Sequence, residues 1–518
     1  MANTTLFKSS RGPLVPRADT FNRAGGKAYA LSPKHALAQY AATGCLNATF
    51  YASAGEDLDK VIALASQVSP EFLAKTAVYA RERGFMKDMP ALLCAALSVL
   101  DGQLCSQVFH RVIDDGKMLK NFVQIVRSGA VGRKSLGSMP KRLVKSWLDS
   151  REDAAVFKAS VGQAPSLADV IKMAHPKPAT KSREALYGYL LGKKHDSALL
   201  PDVVRHFEAY KAKERKDVPD VPFQMLTSLE LGQKEWTEIA KNASWQTTRM
   251  NLQTFKRHGV FEDEKMVKRV ADRLRDRDLV RRARVFPYQL MMAYRAAAAD
   301  VPARIARALE DAMEHAIVNV PEIEGKVFVL PDVSGSMSSP VTGYRQGSSS
   351  AVRCIDVAAL VAAAVLRKNP DGEVIPFEQD IVKLHLSPHD TVMTNAGKLA
   401  GIGGGGTNCS APLAELNRRK ARADLVIYVS DNESWVDWRG AGRGTATMAE
   451  WTAFKVRNPH AKLVCIDIQP NGHTQAPDRD DVLNVGGFSD AVFDVIAAFA
   501  KGGSGAAHWV RTIEGVKL

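Results

Sequence analysis

The sequence predicts a multidomain protein in which an all-α solenoid precedes an α/β domain, and three observations predict it. The chain has 518 residues, which is several times the usual size of one domain. Residues 35–320 carry apolar side chains at spacings of three and four, separated by Gly, Pro or Ser, as short helices do. Beyond residue 325, apolar strand-like runs alternate with helical runs, which is typical of a parallel sheet covered by helices.

The first domain is predicted to span residues 1–325. One of its helical runs places Leu58, Val61, Ile62 and Ala65 on one side. Short helices with brief connections are typical of stacked antiparallel pairs, that is, of an α-solenoid. No fixed repeat length is visible, so the pattern by itself does not name a class of repeat.

The second domain is predicted to span residues 326–518. Its predicted strands are 326–331, 373–377, 424–430 and 462–468, and its predicted helices lie near 354–368, 410–420, 446–456 and 490–500. In a parallel sheet of this kind, ligands bind beyond the carboxyl ends of the strands. We therefore look for functional side chains at those ends.

The positive charge lies entirely in the first domain. Lys and Arg number 70 against 56 Asp and Glu, a net charge of +14. Residues 326–518 hold 20 basic and 20 acidic residues, which leaves 50 basic and 36 acidic in residues 1–325. The densest stretch is 111–145, with nine basic residues against two acidic ones. Such a field attracts a polyanion such as nucleic acid, although a solvated face of a protein without such a partner remains the alternative.

Composition restricts the class of protein. The chain is 46% hydrophobic and 24% charged, which is ordinary for a globular protein. Apolar runs are too short to cross a bilayer, and the first residues lack the apolar core of a secretory signal. We expect a cytoplasmic protein with no membrane partner. The six cysteines show no C-x-x-C pair, so we expect reduced, mostly buried thiols.

A candidate metal site comes from three loops that follow predicted strands or glycines. Asp332, Ser334 and Ser336 alternate after the first strand, Thr407 follows four glycines, and Asp431 follows another apolar strand. The D-x-S-x-S pattern alone is typical of turn capping, but the three loops together favour a metal. Hydroxyls with two carboxylates are the hard oxygen ligands that suit Mg²⁺.

The segment SMPKRLVKSWL, residues 138–148, is a candidate for phosphate contacts. As a helix it places Leu143, Val144, Trp147 and Leu148 on one face and directs Lys141, Arg142 and Lys145 outward. The alternative is an ordinary amphipathic surface helix. Catalysis is not expected, because we find neither clustered carboxylates for two metals nor a G-x-S-x-G nucleophile elbow.

The whole chain resembles the Ro autoantigen family, whose N-terminal module is called TROVE and whose C-terminal part is a von Willebrand factor A domain. The matching stretches are NRAGGKAYALSPKHALAQYAATGCLNATFY at 22–51, VIKMAHPKP at 170–178, TRMNLQTFKRHGVF at 248–261, ARVFPYQLMMAY at 283–294, GGGTNCSAPL at 404–413 and VSDNES at 429–434.

The resemblance implies HEAT-like helical repeats closed into a ring and a Rossmann-like A domain with a metal-ion-dependent adhesion site. It implies an RNA-binding ribonucleoprotein component that binds small noncoding Y RNA on its outer surface. Single-stranded 3′ ends of misfolded RNAs would enter the ring. The resemblance leaves open an exoribonuclease or another protein as a partner, bound through RNA or the metal face. The chief alternative is a Mg²⁺-dependent protein-binding scaffold.

The resemblance also implies individual contacts. His175, between Lys172 and Lys177, corresponds to a family histidine associated with Y RNA binding, and Lys158 falls at a basic contact. Two positions depart from the family. Residue 162 is Gly where a second basic contact is expected, and residue 408 is Asn where relatives are expected to carry Asp.

Overall fold

The computed structural model describes twelve segments of the chain: 15–44, 46–162, 165–227, 229–283, 285, 287–297, 299–318, 320–344, 352–436, 444–489, 491–502 and 507–518. These residues form two compact units. The sheet unit is formed by the described residues of 1–67, 286–288 and 317–515. The helical unit is formed by those of 68–285, 289–316 and 516–518.

The sheet unit begins with two short strands and two helices: β1 (Thr20–Phe21), β2 (Lys27–Ala30), α1 (Pro33–Thr43) and α2 (Ala54–Gln67). Helix α1 starts at Ser32, whose hydroxyl accepts the His35 N–H, with Pro33 in the first turn. These are standard helix-start features. Every residue of α1 from His35 to Thr43 is buried, as expected for a helix in the interior of a unit rather than on its surface.

The helical unit consists of successive short helices, as predicted. Their bounds are α3 (Pro70–Glu82), α4 (Asp88–Leu100), α5 (Gly102–Val112), α6 (Gly116–Ser128), α7 (Ser138–Asp149), α8 (Asp153–Lys158), α9 (Leu167–Ala174), α10 (Lys181–Leu190), α11 (Asp202–Lys211), α12 (Gln233–Asn242), α13 (Trp245–Met250), α14 (Leu252–Arg257), α15 (Glu264–Arg275), α16 (Arg277–Ala283), α17 (Pro287–Ala297) and α18 (Ala303–Ala316). Neighbours along the chain pack together, for example α3 with α4 and α4 with α5. Sequential packing of this kind is typical of a solenoid.

The rest of the sheet unit alternates strands with helices. The elements are β3 (Val327–Pro331), α19 (Cys354–Lys368), β4 (Glu373–Val374), α20 (Val392–Ala400), α21 (Ala411–Arg418), β5 (Leu425–Ser430), α22 (Ala446–Arg457), β6 (Lys462–Asp467), β7 (His473–Thr474), β8 (Val482–Gly486), α23 (Ala491–Ala500) and α24 (His508–Glu514). Five strands form a parallel sheet in the order β4-β3-β5-β6-β8. The predicted parallel sheet is therefore confirmed.

The four predicted strands of this domain are present, together with two strands and two helices that the sequence patterns do not predict. Strand β8 lies in the run DVLNVGG, and the sequence patterns predict neither this strand nor α20, α24 and β7. Strand β4 ends at Val374, two residues before Pro376, and is therefore shorter than the predicted 373–377. The Ile375 and Phe377 amides on either side of Pro376 still donate to Val329 and Pro331.

The compact units do not follow the predicted boundary between residues 325 and 326. Strand β2 pairs antiparallel with β7, with Tyr29 opposite Thr474 and Ala30 opposite His473. In α1, Gln39 donates to the Asp467 and Gln469 carbonyls. Pairing between such distant segments leaves no local sequence pattern, so the sequence does not predict that the N-terminal residues fold with the sheet unit. The division of the chain into two functional modules, residues 1–325 and residues 326–518, stays a prediction.

The thiol prediction is confirmed for the five cysteines that the structure describes. Cys94, Cys105, Cys354, Cys409 and Cys465 are free and buried, and Cys45 lies outside the described residues. Across the described segments, none of the helices combines the length and the apolar character needed to cross a membrane.

Candidate functional site

The candidate metal centre lies where two neighbouring strands end. Strands β3 and β5 are adjacent and parallel, with Pro331 opposite Val429. The residues that follow, Asp332 and Ser430, therefore lie side by side. The Ser430 hydroxyl donates to the Asp332 carboxylate at 2.7 Å. These side chains therefore lie at the carboxyl ends of the strands, where the sequence predicts functional residues.

The first loop turns its side chains toward one point. Asp332 accepts the Ser334 N–H at 2.9 Å with one carboxylate oxygen. The hydroxyls of Ser334 and Ser336 are 3.3 Å apart. The structure therefore brings the three predicted ligands of this loop together.

The glycine run delivers Thr407 to the same point. The Thr407 hydroxyl donates to the Ser334 hydroxyl at 3.0 Å, and the Gly335 N–H donates to the Gly405 carbonyl at 3.1 Å. Gly405 has a φ of +67°, and a Cβ atom there would come within 2.3 Å of Glu378. Glycine adopts this left-handed conformation without strain, whereas another residue would be strained there and would displace the Glu378 carboxylate.

Asp431 completes the predicted set. Its carboxylate accepts the Glu433 N–H at 3.2 Å and lies beside the Ser336 side chain. Burial, reinforced by the charges of Asp332 and Glu433, raises the pKa of Asp431 well above its usual range. Burial also raises the pKa of Asp332. A divalent cation bound beside two buried carboxylates that repel each other stabilises their charged forms.

All five predicted ligands are buried, with between 0% and 6% of their surface exposed. In the described part of the chain, no three His, Cys, Asp or Glu side chains are grouped to hold a metal ion. A metal centre at this point therefore depends on the hydroxyls of Ser334, Ser336 and Thr407 as well as on the two aspartates. This is the mixed donor set that the sequence predicts.

Asn408, which is not itself a predicted ligand, supports the loop that carries Thr407. Its side-chain carbonyl accepts from the N–H and hydroxyl of Ser410, and its amide donates to the Gln379 carbonyl. The Asp expected there from the resemblance is absent, and so is its charge.

Three further residues lie around this centre that the motifs do not indicate. Ser430 holds Asp332, and its position directly before Asp431 was a usable signal. Glu433 is fully buried and lies 2.9 Å from the His473 ring. Tyr51 lies beside Ser336, and no local pattern connects two residues so far apart in the chain.

A buried carboxyl at the next strand end makes stability depend on pH. Burial raises the pKa of Asp467, at the end of β6, to about 8 from its ordinary 3.8. The folded protein therefore retains a proton that the unfolded chain releases, so the free energy of unfolding falls as pH rises between these values. Asp467 contributes a slope of about 1.4 kcal/mol per pH unit. We expect urea unfolding of Asp467→Asn to show a shallower fall, and an equally steep fall would contradict this assignment.

Helix α7 has the predicted amphipathic form. Leu143, Val144, Trp147 and Leu148 are buried, and the Trp147 indole donates to the Ile113 carbonyl at 2.8 Å. Arg142 is exposed, and Lys141 and Lys145 are partly exposed. The side chains of these three cations make no ion pair or hydrogen bond with the residues that the structure describes. Their charge is therefore uncompensated locally.

His175 ends helix α9 in an unusual backbone conformation. It lies in the left-handed region, with φ 52° and ψ 57°, which is uncommon for a residue other than glycine. The side chain is exposed, as are those of Lys172 and Lys177. Helix α9 packs against α6 and α7, so these residues belong to the same part of the helical unit as the α7 cations.

Neither Lys158 nor Gly162 provides a free basic side chain in the structure. Lys158 forms an ion pair with Asp220 at 2.7 Å, so its charge is partly compensated. Gly162 has a φ of +96°, and a Cβ atom there would lie 3.3 Å from the Lys120 ammonium. Lys120 donates to the Ala159 and Val161 carbonyls. A buried lysine thus holds the backbone where the family is expected to carry a second basic side chain.

Comparison with known proteins supports the sequence resemblance. Residues 326–500 match the family model of the Ro60 vWA domain. The RNA-binding protein RO60 of Deinococcus radiodurans is 26% identical over 515 residues, which cover 93% of this chain and 95% of that protein. The RNA-binding protein RO60 of Caenorhabditis elegans is 25% identical over 252 residues, or 46% of this chain and 38% of that protein.

The fold also matches a solved structure. The crystal structure of the Deinococcus radiodurans RO (RSR) protein aligns with a TM-score of 0.62 and 22% identity. The match covers 91% of this chain and 100% of that one. The predicted combination of a helical module with a von Willebrand factor A domain is confirmed.

Proposed function

Because the chain belongs to the Ro protein family, we propose that it is an RNA-binding component of a ribonucleoprotein. Its proposed ligands are a small, structured, Y-like RNA on the basic outer surface and the single-stranded 3′ ends of misfolded or structured RNAs in a ring cavity. The proposed role is RNA quality control or processing in the cytoplasm. Ring closure and recruitment of an exoribonuclease belong to this proposal.

The observation that carries the proposal is the α7 surface. Three cations there lack a local partner, whereas many other surface cations of the helical unit pair with an acidic residue three positions earlier, as Arg275 does with Asp272. Unpaired Lys and Arg bind phosphates by releasing counterions, which supplies most sequence-independent affinity for RNA. The relatives named as RNA-binding proteins match nearly the whole chain in one case, which supports the same ligand class.

The direct test identifies the RNA. The protein is purified from its native cells after crosslinking, and the bound RNA is sequenced. In parallel, a hairpin with a single-stranded 3′ tail is titrated at several salt concentrations. We expect one abundant small structured RNA and salt-sensitive binding that depends on the tail. Background RNA alone, with weak binding indifferent to the tail, would contradict the proposal.

His175 provides a residue-level prediction. We expect His175→Gly to weaken binding of structured RNA about tenfold, the effect of losing one stacking or phosphate contact. Stability should be kept or improved, because glycine adopts the left-handed conformation without strain. The measurement pairs RNA affinity with thermal unfolding of the same variant. Unchanged affinity would remove His175 from the RNA site.

We also propose that Asp332, Ser334, Ser336, Thr407 and Asp431 hold a divalent metal, Mg²⁺. The donor set fits, because five buried oxygen-bearing side chains meet at one point and two of them are carboxylates without a nearby cationic partner among the residues described above. A bound Mg²⁺ would supply a Lewis-acidic position for an oxygen of an external ligand. We expect this position to serve binding and not catalysis.

A second candidate function is a protein-binding scaffold that uses the metal face. Trp435 favours it, because this large apolar side chain is 45% exposed and its ring lies against Gly406, beside the predicted ligand Thr407. Exposed aromatic side chains are frequent anchors of protein interfaces. An exoribonuclease or another protein is the proposed partner, and pull-down with and without Mg²⁺ tests this candidate.

A further inference from the structure

A histidine in the helical unit contacts the α7 helix. His110 lies in the last turn of α5, and its Nε2 atom is 3.0 Å from the Ser146 hydroxyl of α7. Both side chains are exposed. Since α5 packs against α7, this contact joins the two helices where their interface meets solvent.

Ser146 places this histidine beside the cations of α7. Residues four apart on a helix lie on the same side of it, so Arg142 and Ser146 are neighbours, and Lys145 directly precedes Ser146. Arg142 is exposed and Lys145 is partly exposed. His110 therefore lies on the surface to which the proposed function assigns phosphate contacts.

Arg151 adds a further cation at this position. Its guanidinium lies over the Trp147 ring, 5.0 Å from the ring centroid, and donates to the Asp114 carbonyl at 3.2 Å. It makes no ion pair with the residues that the structure describes. An aromatic ring and a carbonyl leave the charge of a guanidinium uncompensated, and this charge acts on His110.

Most other charged groups on the helices packed around α5 have partners of their own. Helix α5 packs against α3, α4 and α7. Asp149, the acidic residue of α7, lies at the end of that helix, where its charge acts on Tyr187 of α10. The remaining contacts are Lys75 with Glu71, Arg81 with Asp114, Arg111 with Glu82, and Asp88 with Asn121. The charge that shifts the His110 ring is therefore that of a cation, Arg151.

His110 is mostly neutral near pH 7. Partial burial and, after it, the charge of Arg151 lower its pKa below the ordinary 6.5. A neutral imidazole carries one N–H, whereas a protonated imidazole carries two. The Nδ1 atom makes no hydrogen bond with the residues described above. Protonation would therefore supply a positive charge and a donor that no group of the protein occupies.

We propose that His110 is a further phosphate-binding residue of the RNA surface and that Ser146 is its positioning residue. As a backbone phosphate of the RNA binds, the ring takes up one proton from solvent. Its Nδ1–H donates to a phosphate oxygen, and its Nε2–H donates to the Ser146 hydroxyl. The inference rests on the proposed RNA binding and adds to it a contact whose strength depends on pH.

The coupling to a proton fixes the direction of the pH dependence. Because the complex binds one proton more than the free protein, RNA affinity rises as pH falls. The rise begins where the ring beside the phosphate starts to protonate. It is complete once the free ring is also protonated, below its pKa and therefore below 6.5.

The test titrates the tailed hairpin into the full chain at pH 7.5 and pH 5.5 over a series of salt concentrations. Every protein carries His175→Gln, so that this exposed histidine does not titrate. We expect the otherwise unsubstituted protein to bind about fivefold more tightly at pH 5.5, the effect of one charge-assisted contact, with a salt slope about one unit steeper. His110→Gln should lose both changes. His110→Lys, which stays charged at both pH values, should bind at pH 7.5 as tightly as the unsubstituted protein does at pH 5.5.

His206→Gln is the matched control, because it removes an imidazole of the same unit that pairs with Asp217 at 2.9 Å. It should keep the pH dependence, and thermal unfolding verifies that each variant is folded. A pH dependence that persists in His110→Gln would overturn the role of His110 and leave RNA binding standing. The same loss in His206→Gln as in His110→Gln would also overturn it. No hairpin binding at either pH would overturn both the inference and the proposed function.

Discussion

Replacing Lys141, Arg142 and Lys145 together by Ala is expected to weaken RNA binding on the order of 100-fold at physiological salt. Each cation lost from a phosphate contact removes about one unit from the slope of log affinity against log salt. The slope should therefore fall by up to about 3. Titration of the tailed hairpin across a salt series measures both quantities.

The fold should survive this change because the three side chains lie outside the buried face of α7. Leu143, Val144, Trp147 and Leu148 carry that packing, and substitution of exposed residues away from such contacts changes stability little. Circular dichroism and thermal unfolding of the variant verify this point. A loss of RNA affinity in a folded variant can then be assigned to the charges.

A matched control removes the same charge elsewhere in the helical unit. Lys241, Arg275 and Arg281 each pair with an acidic residue three positions earlier on the surface. Such pairs contribute little to stability, so their triple Ala variant should fold and should bind RNA almost normally. If the control loses as much affinity as the α7 variant, net charge and not the α7 surface determines binding.

Features that repeat within a few residues could be predicted from the sequence. The amphipathic period of α7 predicted its buried face and its outward cations. The apolar strands ending at Asp332 and Asp431 predicted that these carboxylates would meet, because β3 and β5 are neighbours in a parallel sheet. In both cases the sequence pattern spans a few residues, and the regular geometry of the helix or the sheet determines which side chains lie together.

Features that depend on contacts between distant segments could not be predicted. Strand β2 pairs with its sequence neighbour β1 and also with the remote strand β7, and no local pattern in the sequence reports the second pairing. Tyr51 reaches Ser336 because the N-terminal segment folds with the sheet unit. A single sequence offers periodicity and local motifs, and neither reports which remote segments meet.

The same limit applies to charge. The family resemblance places Lys158 at a basic contact, yet Asp220 pairs with it from a remote loop. Gly162 looked like a missing basic residue, yet the Lys120 side chain lies beside it. The sequence gives the net charge of a region, whereas the pairing of each cation needs the fold. For this reason α7, whose cations stay unpaired, carries the RNA proposal better than the α8 region.

Replacing Asp332 by Asn is expected to lower Mg²⁺ affinity by at least about 100-fold and to leave RNA affinity unchanged. The carboxylate is fully buried and accepts from Ser334 and Ser430. Asn keeps the volume and one acceptor oxygen, but removes the charge that a divalent cation requires. Calorimetric titration with Mg²⁺ and the hairpin titration on the same preparation provide the two readouts.

Asp467→Asn is the control for Asp332→Asn, because Asp467 is also buried at the carboxyl end of a strand of the same sheet but is not a proposed ligand. It should keep its Mg²⁺ affinity. Retained metal binding in Asp332→Asn would remove the first loop from the metal centre. Equal loss of RNA binding in a folded Asp332→Asn would show that metal and RNA act at one site. The predicted outcome separates them, since the α7 cations lie in the helical unit and the metal loops in the sheet unit.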